Sequence, residues 1–195
     1  KRTGGREGIF DELDGTKWYS EGGLSAVFAG AIMVNNIVQD AIIYAPLFEM
    51  PVEYTASLGG GSFLNGKQIL VSPRRHVMRI AVATAGHSAE RYDAQPIIAK
   101  LLKHGYEVED VKSISYSCAA LASGVIDGIL FPWGTLWDVI PGDLLVREAG
   151  GVTSDLDGAA LDYSGDSVDG FIMASNDLVH KLLFMIVREN RRTPT

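Results

Sequence analysis

The chain is poor in cysteine: Cys118 is the single one among 195 residues. A lone thiol closes no disulfide within the chain, so a packed core has to supply the stability, and a reducing cytoplasm suits it best. Long apolar runs are missing as well. No stretch approaches the roughly 20 apolar residues needed to span a bilayer. The basic start, Lys1-Arg2-Thr3-Gly4-Gly5-Arg6-Glu7, lacks the apolar segment of a secretory signal. Positive charge is in deficit: 17 Lys and Arg stand against 24 Asp and Glu, for a net charge of -7. A nucleic acid polymer calls for a basic face, so neither such a polymer nor a membrane is an expected partner. A small phosphorylated metabolite stays open, because a bound cation inverts the local sign of a site. Internal repeats and low-complexity segments are absent. What is present is ordinary for a globular protein: 47% of residues are hydrophobic and 21% charged. That suffices for one sizeable core or two small ones.

The hydrophobic pattern changes near the middle of the chain. Leu24 to Val34 and Ile37 to Pro46 are apolar and separated by Asn35-Asn36, which predicts an antiparallel pair. Val52 to Ser57 alternates as a third strand, and Gly59-Gly60-Gly61 turns the chain. Ser62-Phe63-Leu64 and Lys67 to Val71 flank Asn65-Gly66, the strongest hairpin signal present. Pro73-Arg74-Arg75-His76 then breaks the pattern. Beyond it, strands at Ile80 to Thr84, Tyr106 to Val111, Val125 to Phe131 and Phe171 to Ala174 alternate with helices. The helices are expected at Ala89 to His104, Ser115 to Ser123, Leu136 to Ala149 and Asp177 to Glu189, with Gly105, Gly124 and Gly150-Gly151 as stops. The division is an antiparallel half over residues 1–76 and an α/β half over residues 77–195.

Two acidic corners stand out. Asp11-Glu12-Leu13-Asp14-Gly15-Thr16 follows the short apolar Gly8-Ile9-Phe10, which reads as a strand end, and precedes Thr16 to Ser20, which reads as a helical turn. Such a corner gathers carboxylates, a carbonyl and backbone N–H groups. Hard cations prefer oxygen ligands, and phosphates prefer N–H groups. Trp137-Asp138 opens the helix from Leu136 and offers a third carboxylate from the other half. Each corner alone also has a plainer account: the first as a capped turn, the second as an acid complementing a helix start.

Together, the two corners resemble the inositol monophosphatase-like family, a superfamily of Mg²⁺-dependent, lithium-sensitive phosphatases. The family pattern Asp-Pro-(Ile/Leu)-Asp-Gly-Thr appears here as Asp11 to Thr16. Its later pattern, Trp-Asp followed by an apolar helix ending Glu-Ala-Gly-Gly, appears as Trp137-Asp138 through Glu148-Ala149-Gly150-Gly151. Ile43 to Pro46, Gly61 to Lys67, Val71-Ser72 and Ala174-Ser175-Asn176 match as well. The resemblance implies a layered αβαβα sugar-phosphatase fold, of mixed α+β and α/β character, with the N-terminal helices missing. It implies Mg²⁺ held by Asp11, the Leu13 carbonyl, Asp14 and Asp138. Asp11 and Thr16 would be catalytic, with the Thr16 hydroxyl orienting water. Gly15 and Thr16 would take phosphate oxygens through their N–H groups. Ser115, Ser117 and Trp133 are the substrate-contact candidates, and a homodimer is the expected assembly.

Several positions depart from the family pattern. Glu12 replaces the proline. Only ten residues precede Asp11, so the family's upstream helices and Gly-Glu-Glu segment are expected to be missing. Glu7 is too close in sequence to stand in for them. Phe131-Pro132-Trp133-Gly134 carries no acid where inositol phosphatases hold one, and Lys17 resembles the nucleotide 3′-phosphatase branch. The expected activity is therefore hydrolysis of a small sugar or inositol phosphate. A nucleotide 3′-phosphatase acting on adenosine 3′,5′-bisphosphate is the second reading, and a non-catalytic metal- or phosphate-binding module the third. His76, His87, His104 and His180 have no metal-ligand spacing.

Overall fold

A computed structural model describes residues 5–75, 78–83 and 93–190. Asparagine sets the turns of the first half. Asn35 and Asn36 take φ of 52° and 65°, and Asn65 and Gly66 take 48° and 76°, the left-handed values that tight hairpins require. Around these turns six strands form an antiparallel sheet in chain order: β1 (Arg6–Asp14), β2 (Val27–Val34), β3 (Ile37–Ala45), β4 (Val52–Ser57), β5 (Gly61–Leu64) and β6 (Lys67–Ile69). A single turn of helix, α1 (Thr16–Ser20), joins β1 to β2. β2 starts later than the apolar run at Leu24 suggests, and β6 stops before Val71.

The larger difference concerns β1. It does not end at Phe10 but runs on through the first acidic corner, pairing Asp11 with Ala29 and Asp14 with Val27. The register slips between Asp11 and Asp14, as in a β-bulge. Both acids are therefore strand residues beside a local irregularity.

The second half builds a five-stranded mixed sheet ordered β11-β13-β9-β7-β8, from β7 (Arg79–Val82), β8 (Glu107–Asp110), β9 (Gly128–Phe131), β11 (Val152–Asp155) and β13 (Phe171–Ala174). β7 is parallel to β8 and β9, and the other pairs are antiparallel. β11 carries no apolar alternation and has no counterpart in the sequence expectation. The same holds for a two-residue ribbon of β10 (Gly134–Thr135) and β12 (Ser167–Val168). The helices are α2 (Ala94–Lys103), α3 (Ile114–Ala122), α4 (Leu136–Glu148) and α5 (Asp177–Asn190). Asp93 caps α2 by accepting the Gln95 N–H, and Pro96 sits in its first turn, where proline is tolerated. The expected helix start at Ala89, the strand end at Thr84, and His76 and His87 lie outside the described residues. Among the described residues, no helix is long and apolar enough to cross a membrane.

Period-two alternation sorts the second sheet into two faces. Ala81, Ile129, Phe171 and Met173 point inward to a core shared with Val27, Met33 and Ile43 of the first sheet and with α3 and α4. Ile80, Val82, Leu130 and Ile172 point outward beneath α2 and α5. The layers therefore run sheet, α3–α4, sheet, α2–α5. α4 is buried almost all round, as a helix between two sheets must be. Glu148 ties it to the first sheet, its Oε1 and Oε2 accepting the N–H groups of Gly59 and Gly61 at 2.9 and 3.0 Å. At Gly142 an added Cβ would lie 2.5 Å from Cys118 Cβ and Sγ, so α3 and α4 meet there without room for a side chain.

Candidate metal centre

Two elements deliver three carboxylates to one point. β1 brings Asp11 and Asp14, and the first turn of α4 brings Asp138. One ligand atom from each lies within 4.8 Å of the others. Each carboxylate is held by one oxygen. Asp11 Oδ1 accepts the Leu13 N–H at 2.8 Å. Asp14 Oδ2 accepts the Ser113 hydroxyl at 2.8 Å and the Ser115 N–H at 2.7 Å. Asp138 Oδ2 accepts the Thr135 hydroxyl at 2.6 Å. The remaining oxygen of Asp138, Oδ1, is buried without a hydrogen-bond partner.

A buried acceptor with no donor is costly. Three acids packed together add repulsion, which favours the protonated forms of Asp14 and Asp138. Burial pushes the Asp138 carboxyl up to about 8, with the charge of Asp14 and the hydrogen bond that protonated Asp138 donates to Asp11 adding to the rise, while the Thr135 hydroxyl opposes it. Asp14 is also raised, chiefly by burial, against the hydrogen bonds from Ser115 and Ser113. A divalent cation would satisfy the orphaned oxygen and remove the repulsion. The donor set is oxygen only, which suits a hard cation better than zinc.

Gly15 makes the corner possible. Its φ is +88°, and an added Cβ would meet Ser113 Cβ at 3.2 Å and Ala26 Cα and Ser25 O at 3.3 Å. Thr16 donates its hydroxyl proton to the Leu13 carbonyl at 2.7 Å. The hydroxyl keeps lone pairs that can accept a proton from water, and the carbonyl keeps a second lone pair for a cation.

The substrate-contact candidates fall in different places. Ser115 is fully buried, and its N–H serves Asp14 while its hydroxyl donates to the Asp138 carbonyl at 3.1 Å. It braces the carboxylates and does not face an opening. Ser117 lines a cavity of about 570 Å³ beside α1 and α3, together with Trp18, Ser25, Phe48, Lys112 and Tyr116. Trp133 is half-buried between β9 and β10 and is not part of that wall. Lys112 Nζ stands 4.9 Å and Lys17 Nζ 5.9 Å from the Trp18 ring centroid.

Two residues that sequence reasoning missed hold the centre together. Ser113 caps α3, accepting the Tyr116 N–H, and reaches Asp14 across the two halves. Thr135 reaches Asp138. The one signal for Ser113 was that of a helix cap. His104 is exposed, while His180 shares a hydrogen bond with Ser154 at 2.7 Å, and neither approaches the carboxylates.

Comparison with known proteins places this arrangement. The model of the inositol monophosphatase family matches residues 7–192. The chain belongs to the inositol monophosphatase family. Members of this family are phosphoric monoester hydrolases. One relative, the inositol-1-monophosphatase of Mesorhizobium japonicum, is 30% identical over 187 residues, covering 93% of this chain and 67% of that protein. Another, a putative Nus factor SuhB of Neisseria meningitidis serogroup A, is 30% identical over 184 residues, covering 93% and 68%. The chain thus spans about two thirds of the length of these inositol monophosphatase-family relatives. The solved inositol monophosphatase of Anabaena (Nostoc) sp. PCC 7120 superposes with a TM-score of 0.84 at 22% identity, over 100% of this chain and 75% of that one, which shows the shared fold.

Proposed function

We propose that this chain carries the metal and phosphate site of a Mg²⁺-dependent phosphomonoesterase that hydrolyses a small sugar or inositol phosphate in the cytoplasm. The observation that carries the reading is the carboxylate triangle of Asp11, Asp14 and Asp138, with one buried oxygen left without a partner. Asp11, Asp14, Asp138 and the Leu13 carbonyl would hold the cation. Bound there, Mg²⁺ supplies charge neutralisation at the phosphoryl group and a water that loses its proton more readily. The chain's own groups do the rest. The Gly15 and Thr16 N–H groups take phosphate oxygens and orient the ester. The Thr16 hydroxyl, its proton committed to Leu13 O, accepts a hydrogen bond from the attacking water and fixes its direction.

The test is turnover of inositol 1-phosphate with and without Asp11→Asn. The variant loses about a thousandfold or more in kcat and binds Mg²⁺ more weakly by calorimetry. Unchanged turnover would sink the proposal, and Mg²⁺ binding without turnover in the unaltered chain would favour the non-catalytic module. A nucleotide 3′-phosphatase is the second reading, favoured by the aromatic walls Trp18, Phe48 and Tyr116 with Lys112 beside them. Side-by-side turnover of inositol 1-phosphate and adenosine 3′,5′-bisphosphate separates the two.

A further inference from the structure

Thr135 opens α4 without capping it. It occupies the N-cap position at φ -72° and ψ 154°, yet its side chain accepts no backbone N–H. A threonine there usually satisfies one of the helix's unpaired donors. Here the hydroxyl is turned inward and gives its proton to Asp138 Oδ2 at 2.6 Å. The backbone beneath it is fixed from outside the helix. Thr135 pairs with Ser167 in the β10–β12 ribbon, and the next N–H, from Leu136, donates to the Asp166 carbonyl at 3.2 Å. The ribbon therefore sets where the hydroxyl stands, and the hydroxyl sets how the Asp138 carboxylate is turned. With Oδ2 taken, Oδ1 is the oxygen left buried and unpartnered.

We propose that Thr135 is a positioning residue for the cation site, holding Asp138 in the one rotamer that turns its second oxygen into the cluster with Asp11 and Asp14. The inference rests on the proposed cation site. It assigns the small ribbon a role: anchoring a hydroxyl against a metal-holding carboxylate. Hydrogen-bonded partners of metal ligands characteristically tune affinity in this way. Ser115 adds a second tie, from its hydroxyl to the Asp138 carbonyl, but that bond fixes the backbone and leaves the carboxylate free to rotate.

The experiment compares Thr135→Val, which keeps the shape and removes the hydroxyl, with Thr135→Ser, which keeps the hydroxyl and removes the methyl. Mg²⁺ affinity is read by calorimetry, and thermal midpoints are read in chelator. Thr135→Val weakens Mg²⁺ binding by about 10- to 100-fold, and its midpoint in chelator falls modestly, as losing a hydrogen bond to a buried carboxylate requires. Thr135→Ser restores the affinity. Equal Mg²⁺ affinity in Thr135→Val and the unaltered chain overturns the proposal. So does a loss that Thr135→Ser fails to restore, or one that disappears when both chains are measured well below their midpoints in chelator. Asp138→Asn is the control for the underlying site: if that variant binds Mg²⁺ normally, the site itself is wrong, whatever Thr135 does.

Discussion

Ser113 uses one hydroxyl twice. It accepts the Tyr116 N–H at 3.0 Å, which caps α3, and donates to Asp14 Oδ2 at 2.8 Å. Ser113→Ala removes both bonds and leaves a buried carboxylate short of a donor. A lost cap and a lost bond to a charged group together cost about 2–5 kcal/mol, readable by urea denaturation in chelator. Part of that loss returns when Mg²⁺ is added, because a cation supports the same carboxylate; a variant as stable as the unaltered chain would contradict the assignment. Asp11 and Asp14 stand out in the sequence because acids around an apolar residue and a glycine form a pattern, whereas Asp138 alone reads as an acid at a helix start. Ser113 and Thr135 do not stand out. A hydroxyl residue before a helix signals a cap and nothing more, and the partner of Ser113 lies 99 positions away. Ser115 shows the converse error: small and polar near the site, it reads as a substrate contact, whereas its burial makes it a brace.

At the level of elements, the hairpins were readable and the weak strands were not. Asn35-Asn36 and Asn65-Gly66 announce their turns through the left-handed backbone they tolerate. β10 and β12 are two residues each and β11 lacks apolar alternation, so no periodicity reveals them. The continuation of β1 through Asp11 and Asp14 was hidden because acids are poor strand formers. The pairing of α3 with α4 matters most for the site, since α3 carries Ser113 at its cap and α4 carries Asp138. Their closest approach is Gly142 against Cys118. Gly142→Ala has to push the two helices apart. Overpacking of this kind costs about 1–3 kcal/mol, and it moves Asp138 relative to Asp14. The expected outcome is a lower thermal midpoint together with weaker Mg²⁺ binding. Gly150→Ala, at a glycine with nothing near its missing Cβ but a φ of +88°, is the comparison: it destabilises through backbone strain alone and leaves Mg²⁺ affinity in place.

The whole molecule joins an antiparallel sheet to a mixed sheet through two buried helices, and the carboxylates meet at that seam. Sequence pattern predicted both sheet types, but the meeting of Asp138 with Asp11 and Asp14 came from resemblance, since no local signal spans the halves. Bringing acids together has a consequence for stability against pH. In the metal-free protein, Asp14 and Asp138 hold protons above their ordinary range, Asp138 up to about 8. Unfolded, both ionise near pH 4. Between those limits the folded chain binds more protons than the unfolded one, so stability falls as pH rises and the contribution is lost by about pH 8. His180 acts with the opposite sign: burial lowers it, against a raising influence of Asp177. The unfolded chain therefore takes up its proton first, and stability drops below about pH 6.5. The window from pH 6.5 to 8 isolates the carboxylates. A cation in the cluster holds them ionised, so Mg²⁺ binding must expel those protons and grows tighter as pH rises. Thermal midpoints taken in chelator and in saturating Mg²⁺ across that window should diverge, the chelator curve falling while the Mg²⁺ curve holds. Asp138→Asn should flatten the chelator curve, because no proton is left to lose there. A gap between the two curves that stays constant from pH 6.5 to 8 would mean that Mg²⁺ does not bind at these carboxylates.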